Sequence, residues 1–535
     1  MERDDIQSRW VLMKIIFVTG GVLSGLGKGI TSSSIGRLLK SRGIKISAVK
    51  MDPYLNYDAG NIDAVEHGEV YVLDDGGEAD LDLGNYERFM GLSLTKEHDF
   101  TTGQVYSSVI EKERQGFYGG KTVQIIPHIT NEIKHRIKKI AADSGADVLL
   151  VEVGGTVGDI ESMPFLEAAR QLGRDLGKDG CMFIHTTLIP IINGEHKTKP
   201  TQHSVKELMM IGIKPDVIIG RSPEAMSLSI KEKISLFCDV PVEAVISAVN
   251  ARSIYEVPLN LEKEGLADHI ISKLNLSSGK RDMNEWEQFL NKVLSPSKDV
   301  TVALVGKFIV LADLYLSHLE SLTYAGAAAD CKVNVKFVGS DELMNGDLKN
   351  IFGNVHGIIV PGGSGKKDVG GKYAAIKYAR ENKIPFLGVS SGFQMAAVEI
   401  AGNVAGIKGA DSVEFNEKCK DPVVFIPSGT KGPRLGSGKV ELKAGSRTAE
   451  LYGKTEIDER FRNLYEVNPK YISKMEKAGW KFTGYSGGNA VVGELEDHPF
   501  FVACQFHPQF KTRPERPSPL HQGFVNAAIA FKNGK

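Results

Sequence analysis

Two α/β halves in tandem are what this 535-residue chain predicts, and three observations predict them. Short β-branched runs alternate with helix-like segments through the first half. A polar, turn-rich stretch interrupts them near residue 275, and a second alternation of the same kind starts near residue 300. Such alternation builds parallel sheets covered on both faces by helices, with strands that read as nearly continuous apolar runs.

The first strand is predicted at 14–19. Gly20-Gly21-Val22-Leu23-Ser24-Gly25-Leu26-Gly27-Lys28-Gly29 and a helix-like segment at 31–42 follow it. Strand, glycine loop, lysine and helix arrive in the order that a phosphate cradle requires. Glycines let successive N–H groups converge on phosphate oxygens, the helix presents its positive end, and Lys28 reaches the β/γ-phosphates of a nucleotide. The loop departs from the usual pattern twice. Val22 stands where its first glycine is expected, and Gly29 replaces the Ser or Thr whose hydroxyl would hold Mg²⁺, so a metal must be held elsewhere.

Further strands at 44–51, 146–153, 181–190, 216–220 and 243–250 complete a doubly wound sheet. Open sheets of this kind place ligands at the strand ends. Lys50 and Asp52 end one strand, Glu152 ends another, and Asp80 and Asp82 are offered on a loop at 80–84. Mg²⁺ favours one or two carboxylates with phosphates and water, a demand that Asp82 and Glu152 meet together. Residues 197–204 gather Lys197, Thr198, Lys199, Thr201, Gln202, His203 and Ser204 around Pro200, which by itself also reads as a basic surface turn.

Residues 275–298, with a short amphipathic piece around Trp286, read as a linker. It separates a domain at 14–274 from one at 299–535, and residues 1–13 read as a disordered extension. In the second domain, strands are predicted at 300–305, 333–338, 357–360 and 385–389, with helices at 313–329 and 373–381. There is no internal repeat and no low-complexity tract.

A net charge of −1 with 42% hydrophobic and 24% charged residues argues against a nucleic-acid or membrane-surface partner and for small ones. The five cysteines, Cys181, Cys238, Cys331, Cys419 and Cys504, are widely spaced without a C-x-x-C pair. They therefore read as buried thiols in a reducing compartment, with neither a disulfide framework nor structural zinc. Without a signal-peptide core or an apolar run of membrane length, the expected location is the cytoplasm.

Taken together, residues 20–29, 50–54, 67–70, 80–88, 100–103, 124–131, 152–161 and 197–208 resemble, in order, the amidoligase half of the CTP synthase family. In that family ATP phosphorylates the 4-oxygen of UTP, and ammonia then displaces phosphate to give CTP. The resemblance implies ATP on Gly25, Leu26, Gly27, Lys28, Gly29, Ile30 and Asp82, and Mg²⁺ on Asp82 and Glu152. It places UTP, or CTP as product and feedback inhibitor, on Ser24, Asp159, Ile160, Glu161, Lys197, Thr198, Lys199, Pro200, Thr201, Gln202 and Lys233. Lys28 would stabilise the transferring phosphoryl group, with Lys50 a second cation beside it. A homo-oligomer, dimer to tetramer, is also implied.

In the second half, Gly388-Val389-Ser390-Ser391-Gly392 has the G-x-S-x-G pattern of a nucleophile elbow. With residues 360–365, Glu414 and 503–510 around it, this half resembles a class I glutamine amidotransferase domain. The fold class is then α/β throughout: an N-terminal P-loop-type doubly wound parallel sheet and a C-terminal class I glutamine amidotransferase-like domain. The family carries Cys at the elbow, and His followed two residues later by Glu. Here Ser390 stands at the nucleophile, His507 is retained, Gln509 replaces the carboxylate and Ser364 replaces the aromatic of the oxyanion loop. Phe461 and Asn463 stand at two histidines, and Leu464 stands at the arginine that binds glutamine.

These departures differ in weight. Gln509 can still orient His507 by accepting its N–H. Ser390 needs strong general-base help that a thiolate does not. Leu464 leaves the substrate carboxylate unpaired, at roughly 2–5 kcal/mol. Ser390, His507, Gln509, Glu414 and Leu464 therefore mark a glutaminase-deficient domain, and the chain reads as an ATP-dependent ligase making CTP from UTP and free ammonia. Neither glutamine nor GTP, the family's activator of glutamine use, is then expected to matter. Two other readings stand beside this one. Glutamine hydrolysis survives on Ser390 if Arg460 or Arg462 replaces the missing cation; alternatively, the chain is a nucleotide-sensing assembly protein without turnover, against which the intact Lys28, Asp82 and Glu152 argue.

Overall fold

The computed structural model describes residues 13–307, 311–363 and 369–534. Ser364 and all of the N-terminal extension except Met13 lie outside these residues. The chain separates into two units that are not continuous in sequence. One holds the residues up to Ile62 with Asp82–Asn284, and the other holds Asp63–Leu81 with the residues from Glu285 onward. The stretch read as one domain from 14 to 274 thus contributes residues 63–81 to the other unit.

The first unit carries a parallel seven-stranded sheet. Its strands are β1 (Lys14–Gly20), β2 (Ile46–Asp52), β3 (Asp99–Thr101), β4 (Val148–Val153), β5 (Cys181–Leu188), β6 (Val217–Ser222) and β7 (Val245–Val249). Their order is β7-β6-β5-β1-β4-β2-β3. The central strands are buried on both faces, which is why they read as unbroken apolar runs. On one face Ile15, Phe17, Val49, Met51, Leu149 and Val151 pack against Ile133, Ile137 and Phe165 from the covering helices. Register sets up the site: Glu152 is the partner of Val18 on β1 and of Lys50 on β2.

Two segments differ from their sequence reading, and the amphipathic piece around Trp286 in a third is a helix. Residues 80–84 form no loop, because α2 (Leu81–Met90) starts there; helix α1 (Lys28–Lys40) precedes it in the chain. Asp82 lies in the first turn of α2, where the positive helix end favours an acid. Residues 197–204 are not a surface turn either. They lead into α3 (Lys199–Met210), with Pro200 in the first turn, where its missing N–H costs no hydrogen bond. The linker contains α4 (Asn284–Leu294), because Trp286, Phe289 and Leu290 form one apolar face that is buried, with Phe289 5.5 Å edge-on from Tyr324.

In the second unit, β8 (Lys298–Gly306), β9 (Cys331–Gly339), β10 (Gly357–Val360), β11 (Phe386–Val389) and a later strand, β16 (Phe501–Cys504), form the parallel part of a nine-stranded sheet. It continues antiparallel through β15 (Asn489–Leu495), β14 (Trp480–Ser486), β12 (Arg434–Leu442) and β13 (Glu456–Asn463). Segment 63–81 packs in this unit as a small hairpin, Tyr71–Val72 against Glu78–Ala79. Glu69 accepts hydrogen bonds from the N–H and hydroxyl of Ser317, at the start of α5 (Leu316–Ala328), and the Tyr71 hydroxyl donates to the Phe510 carbonyl at 2.6 Å. Among the described residues no helix is long and apolar enough to cross a membrane. The five cysteines are free thiols, four of them buried.

Candidate active sites

Between β1 and α1, Val22, Gly25 and Gly27 have φ of 80°, 74° and 86°. A Cβ at Gly25 or Gly27 would meet nothing within 4 Å, so backbone conformation rather than space calls for glycine there. Gly27 caps α1 without a side-chain hydrogen bond, which leaves the positive helix end for an anion. The Lys28 ammonium donates to the Gly155 carbonyl at 2.8 Å. Burial lowers its pKa, with Glu152 opposing and Lys50 adding to the effect.

Gly29 shows why the usual hydroxyl is missing. A Cβ there would collide with the Asp82 carboxylate, lying 2.6 Å from its Cγ. Asp82 thus occupies the position beside the loop that a Ser or Thr side chain would take. Lys50 donates to Asp82 and to Glu152, the latter at 3.3 Å, and lies 3.9 Å from Asp52. The other Glu152 oxygen accepts from the Tyr86 hydroxyl. Burial pushes Glu152 up, Lys50 opposing and Asp82 reinforcing, and burial likewise pushes the Tyr86 phenol up. Tyr86 escaped the sequence reading, although its spacing of four from Asp82 puts both on one face of α2.

This set fits Mg²⁺. The hard carboxylates of Asp82 and Glu152, with that of Asp52 at 3.9 Å, already gather around one cationic group, the Lys50 ammonium. Among the described residues no three His, Cys, Asp or Glu side chains form a cage of their own. A pair of carboxylates with phosphate oxygens is a donor set that Mg²⁺ accepts.

The loop after β4 lies against the phosphate loop, since Val157 N–H donates to the Gly20 carbonyl at 2.8 Å. Asp159 accepts from Thr156 N–H at 2.8 Å, Ile160 is 84% exposed and Glu161 is exposed. Ser24 is exposed on the phosphate loop. Before α3, Lys197 pairs with Glu195 at 2.6 Å, and Lys197 and then Lys233 hold that carboxyl below its usual range. Thr198, Thr201 and Gln202 are buried and serve the helix start: Gln202 donates to Thr198 at 3.0 Å, and Thr201 donates to the Leu188 carbonyl at 3.2 Å. Among the described residues no hydrogen bond or ion pair joins Lys197, Lys199 or Lys233 to Ser24, Asp159 or Glu161.

In the second unit Ser390 ends β11 and opens α6 (Ser391–Asn403) with φ 55° and ψ −110°, the strained turn of an elbow. A Cβ at Gly362 would lie 3.1 Å from His507 Cε1 and 3.3 Å from Ser390 Cβ, so both side chains flank one point of the loop after β10. His507 Nε2 is nevertheless buried without a hydrogen-bond partner among the described residues. Burial holds this imidazole down to about 3, and therefore neutral. Its Nδ1 is 2.9 Å from the Gln509 amide nitrogen. A glutamine amide offers either its NH₂ or, turned over, its oxygen to Nδ1, so it is compatible with the imidazole proton on Nε2 or on Nδ1. A glutamate can only accept and so fixes the productive tautomer. Gln509 fixes neither tautomer by itself.

Leu464 is half-buried in the turn after β13. The two arginines named as candidates to replace its lost cation pair with other carboxylates. Arg460, 1% exposed, pairs with Asp74 at 2.8 Å and donates to the Val72 carbonyl at 3.0 Å; Arg462 pairs with Glu78 at 2.7 Å. Glu414 lies near Tyr373 and Tyr465, whose phenols are raised mainly by burial and further by Glu414.

A family model described as CTP synthase N-terminus matches residues 14–276, and one described as glutamine amidotransferase class-I matches residues 310–527. The chain is 52% identical to CTP synthase of Thermococcus gammatolerans over 98% of this chain and 100% of that one. To CTP synthase of Methanocaldococcus jannaschii it is 51% identical, over 97% and 99%. Among solved structures, the Trypanosoma brucei CTPS glutaminase domain with bound acivicin is 33% identical, covering 43% of this chain and 94% of that one at a TM-score of 0.41.

Proposed function

The chain belongs to the CTP synthase family, and from that premise we propose that this ATP-dependent C–N ligase aminates UTP to CTP with free ammonia, its glutaminase site retired. In the first unit the γ-phosphoryl group of ATP passes to the 4-oxygen of UTP. Neutral ammonia then forms the C4–N bond, phosphate leaves with the C4–O electrons, and the new amino nitrogen releases one proton to solvent. Such transfer needs positioning and charge neutralisation more than covalent help. Lys28 and the open end of α1 would bind the ATP phosphates, with Lys50 a second cation nearby. Asp82 and Glu152 would hold Mg²⁺, which when bound neutralises charge on the phosphate oxygens. Tyr86 keeps Glu152 in one orientation. Lys197, Lys199 and Lys233 supply cations for the UTP triphosphate.

The observation that carries the nitrogen source is the pairing of Arg460 with Asp74 and of Arg462 with Glu78. With leucine at 464, each arginine already has a carboxylate partner other than that of glutamine. A serine nucleophile and a histidine whose Nε2 lacks the Ser390 hydrogen bond support the same reading. The test supplies ATP, Mg²⁺ and UTP with either ammonium at mildly alkaline pH or ammonium-free glutamine. CTP forms from ammonium alone, and Ser390→Cys does not restore glutamine use, because residues acting as a unit are not repaired singly. Glutamine-driven synthesis near the ammonium rate and abolished by Ser390→Ala would overturn the proposal.

A further inference from the structure

Beneath the phosphate loop lies a buried polar chain that the reaction as described does not use. Thr19 Oγ1, at the end of β1, is 2.8 Å from His185 Nδ1 on β5, and His185 Nε2 is 2.8 Å from Ser204 Oγ on α3. All three residues are at most 3% exposed. Thr19 Oγ1 also lies 3.4 Å from the Ile184 carbonyl, a group that can only accept. A neutral imidazole donates from one nitrogen and accepts at the other, and if the Thr19 hydroxyl donates to that carbonyl, Nδ1–H donates to Thr19 and Nε2 accepts from Ser204. Burial, helped by the nearby Lys28 charge, holds the imidazole down to about 3, so this arrangement of one donor and one acceptor persists at every working pH.

The chain touches both nucleotide segments. Gly21, the first residue of the phosphate loop, rests on it: a Cβ there would collide with Ser204 Oγ and lie 2.9 Å from His185 Nε2. Gly21 N–H also donates to the carbonyl of Thr186, the residue after His185, at 3.0 Å. Ser204 lies in α3, whose first turns carry Lys199, Thr201 and Gln202.

We infer that Thr19, His185 and Ser204 form a positioning strut that sets the spacing between the ATP loop and the helix that begins at the UTP-binding residues. The inference rests on the reading that this unit transfers a phosphoryl group from ATP to UTP. Transfer depends steeply on the alignment of donor and acceptor, more so than the binding of either nucleotide. A loosened strut therefore slows turnover while leaving affinities in place.

Because replacing His185 itself risks misfolding, the test removes its partners. Thr19→Val and Ser204→Ala each leave one buried imidazole nitrogen unpaired, and each lowers ammonium-driven turnover about tenfold with the ATP and UTP KM within about twofold of the parent. Thr19→Ser keeps the hydroxyl and restores the rate. Full turnover in both deletion variants would overturn the strut. So would KM values rising in step with lost turnover, since that would mean ordinary loosening of the binding sites. A parent chain that makes no CTP from any nitrogen source would instead sink the reaction itself, and the strut with it.

Discussion

Giving the phosphate loop its usual hydroxyl should damage it. In Gly29→Ser the new Cβ would lie 2.6 Å from Asp82 Cγ and 3.1 Å from Oδ2, closer than packed atoms tolerate. The obstacle is the end of a side chain, so the fold survives while the carboxylate moves. Moving it breaks the charge-assisted hydrogen bond from Lys50 to Asp82, worth about 2 kcal/mol, and separates Asp82 from Glu152. Turnover should fall roughly thirty-fold, the rate equivalent of that energy, with a higher Mg²⁺ requirement. The assay is CTP formation from ammonium across a Mg²⁺ titration, with Gly29→Ala alongside. Alanine introduces the same Cβ without the hydroxyl, so the two variants should fail alike. If Gly29→Ser matches or exceeds the parent, or far exceeds Gly29→Ala, a hydroxyl was what the loop lacked and Asp82 does not stand in its place.

Asp82→Asn and Glu152→Gln should each reduce ammonium-driven turnover by about two decades, since metal neutralisation is worth several kcal/mol; unchanged rates, or Mg²⁺ binding unaltered by calorimetry, would place the ion elsewhere. Alanine at Lys197, Lys199 or Lys233 should raise the UTP KM and weaken CTP inhibition together, by about 1.5–3 kcal/mol each; a loss of ATP affinity instead would reverse the assignment of the two nucleotides. Stability should fall in mild acid. His185, His318 and His507 are each held down to about 3 by burial, whereas an unfolded histidine titrates near 6.5. Between those values the unfolded chain binds more protons, so each histidine removes about 1.4 kcal/mol per pH unit as pH drops below about 6.5. Denaturant midpoints that stay level from about pH 7 to about pH 5 would contradict this.

The central parallel strands were legible because burial on both faces makes them apolar throughout, whereas the parallel strands β3 and β16 were not read. The antiparallel strands were not legible either. In β12 buried residues are interspersed with exposed ones such as Ser437, Lys439 and Glu441, and such a run resembles a polar loop unless its partners are known. Lys28, Lys50, Asp82 and Glu152 stood out as charges at the ends of apolar runs, and the structure brings Lys50, Asp82 and Glu152 into contact. His185 lay in Cys181–Leu188 as one polar residue among apolar ones, and nothing local distinguishes a strut from a satisfied core histidine. The commitment of Arg460 and Arg462 was beyond reach for another reason, since their carboxylate partners lie nearly four hundred residues upstream.

That distance has a consequence for how such a chain can be divided. Residues 63–81 travel in the gene with the synthetase, yet their packing partners are in the other half. A fragment beginning at Glu285 would lose Asp74, the Val72 carbonyl and the Tyr71 ring together, and so leave Arg460, 1% exposed in the whole chain, without its partners and its cover. It would also leave Ser317 without the Glu69 carboxylate. A chimaera of two relatives joined at the linker would inherit the hairpin from one parent and its socket from the other. Substitutions at 74 and 460, or at 78 and 462, would then have to be exchanged as sets. The two halves can be inherited together or recombined with the hairpin carried across, but the linker alone does not mark where one ends.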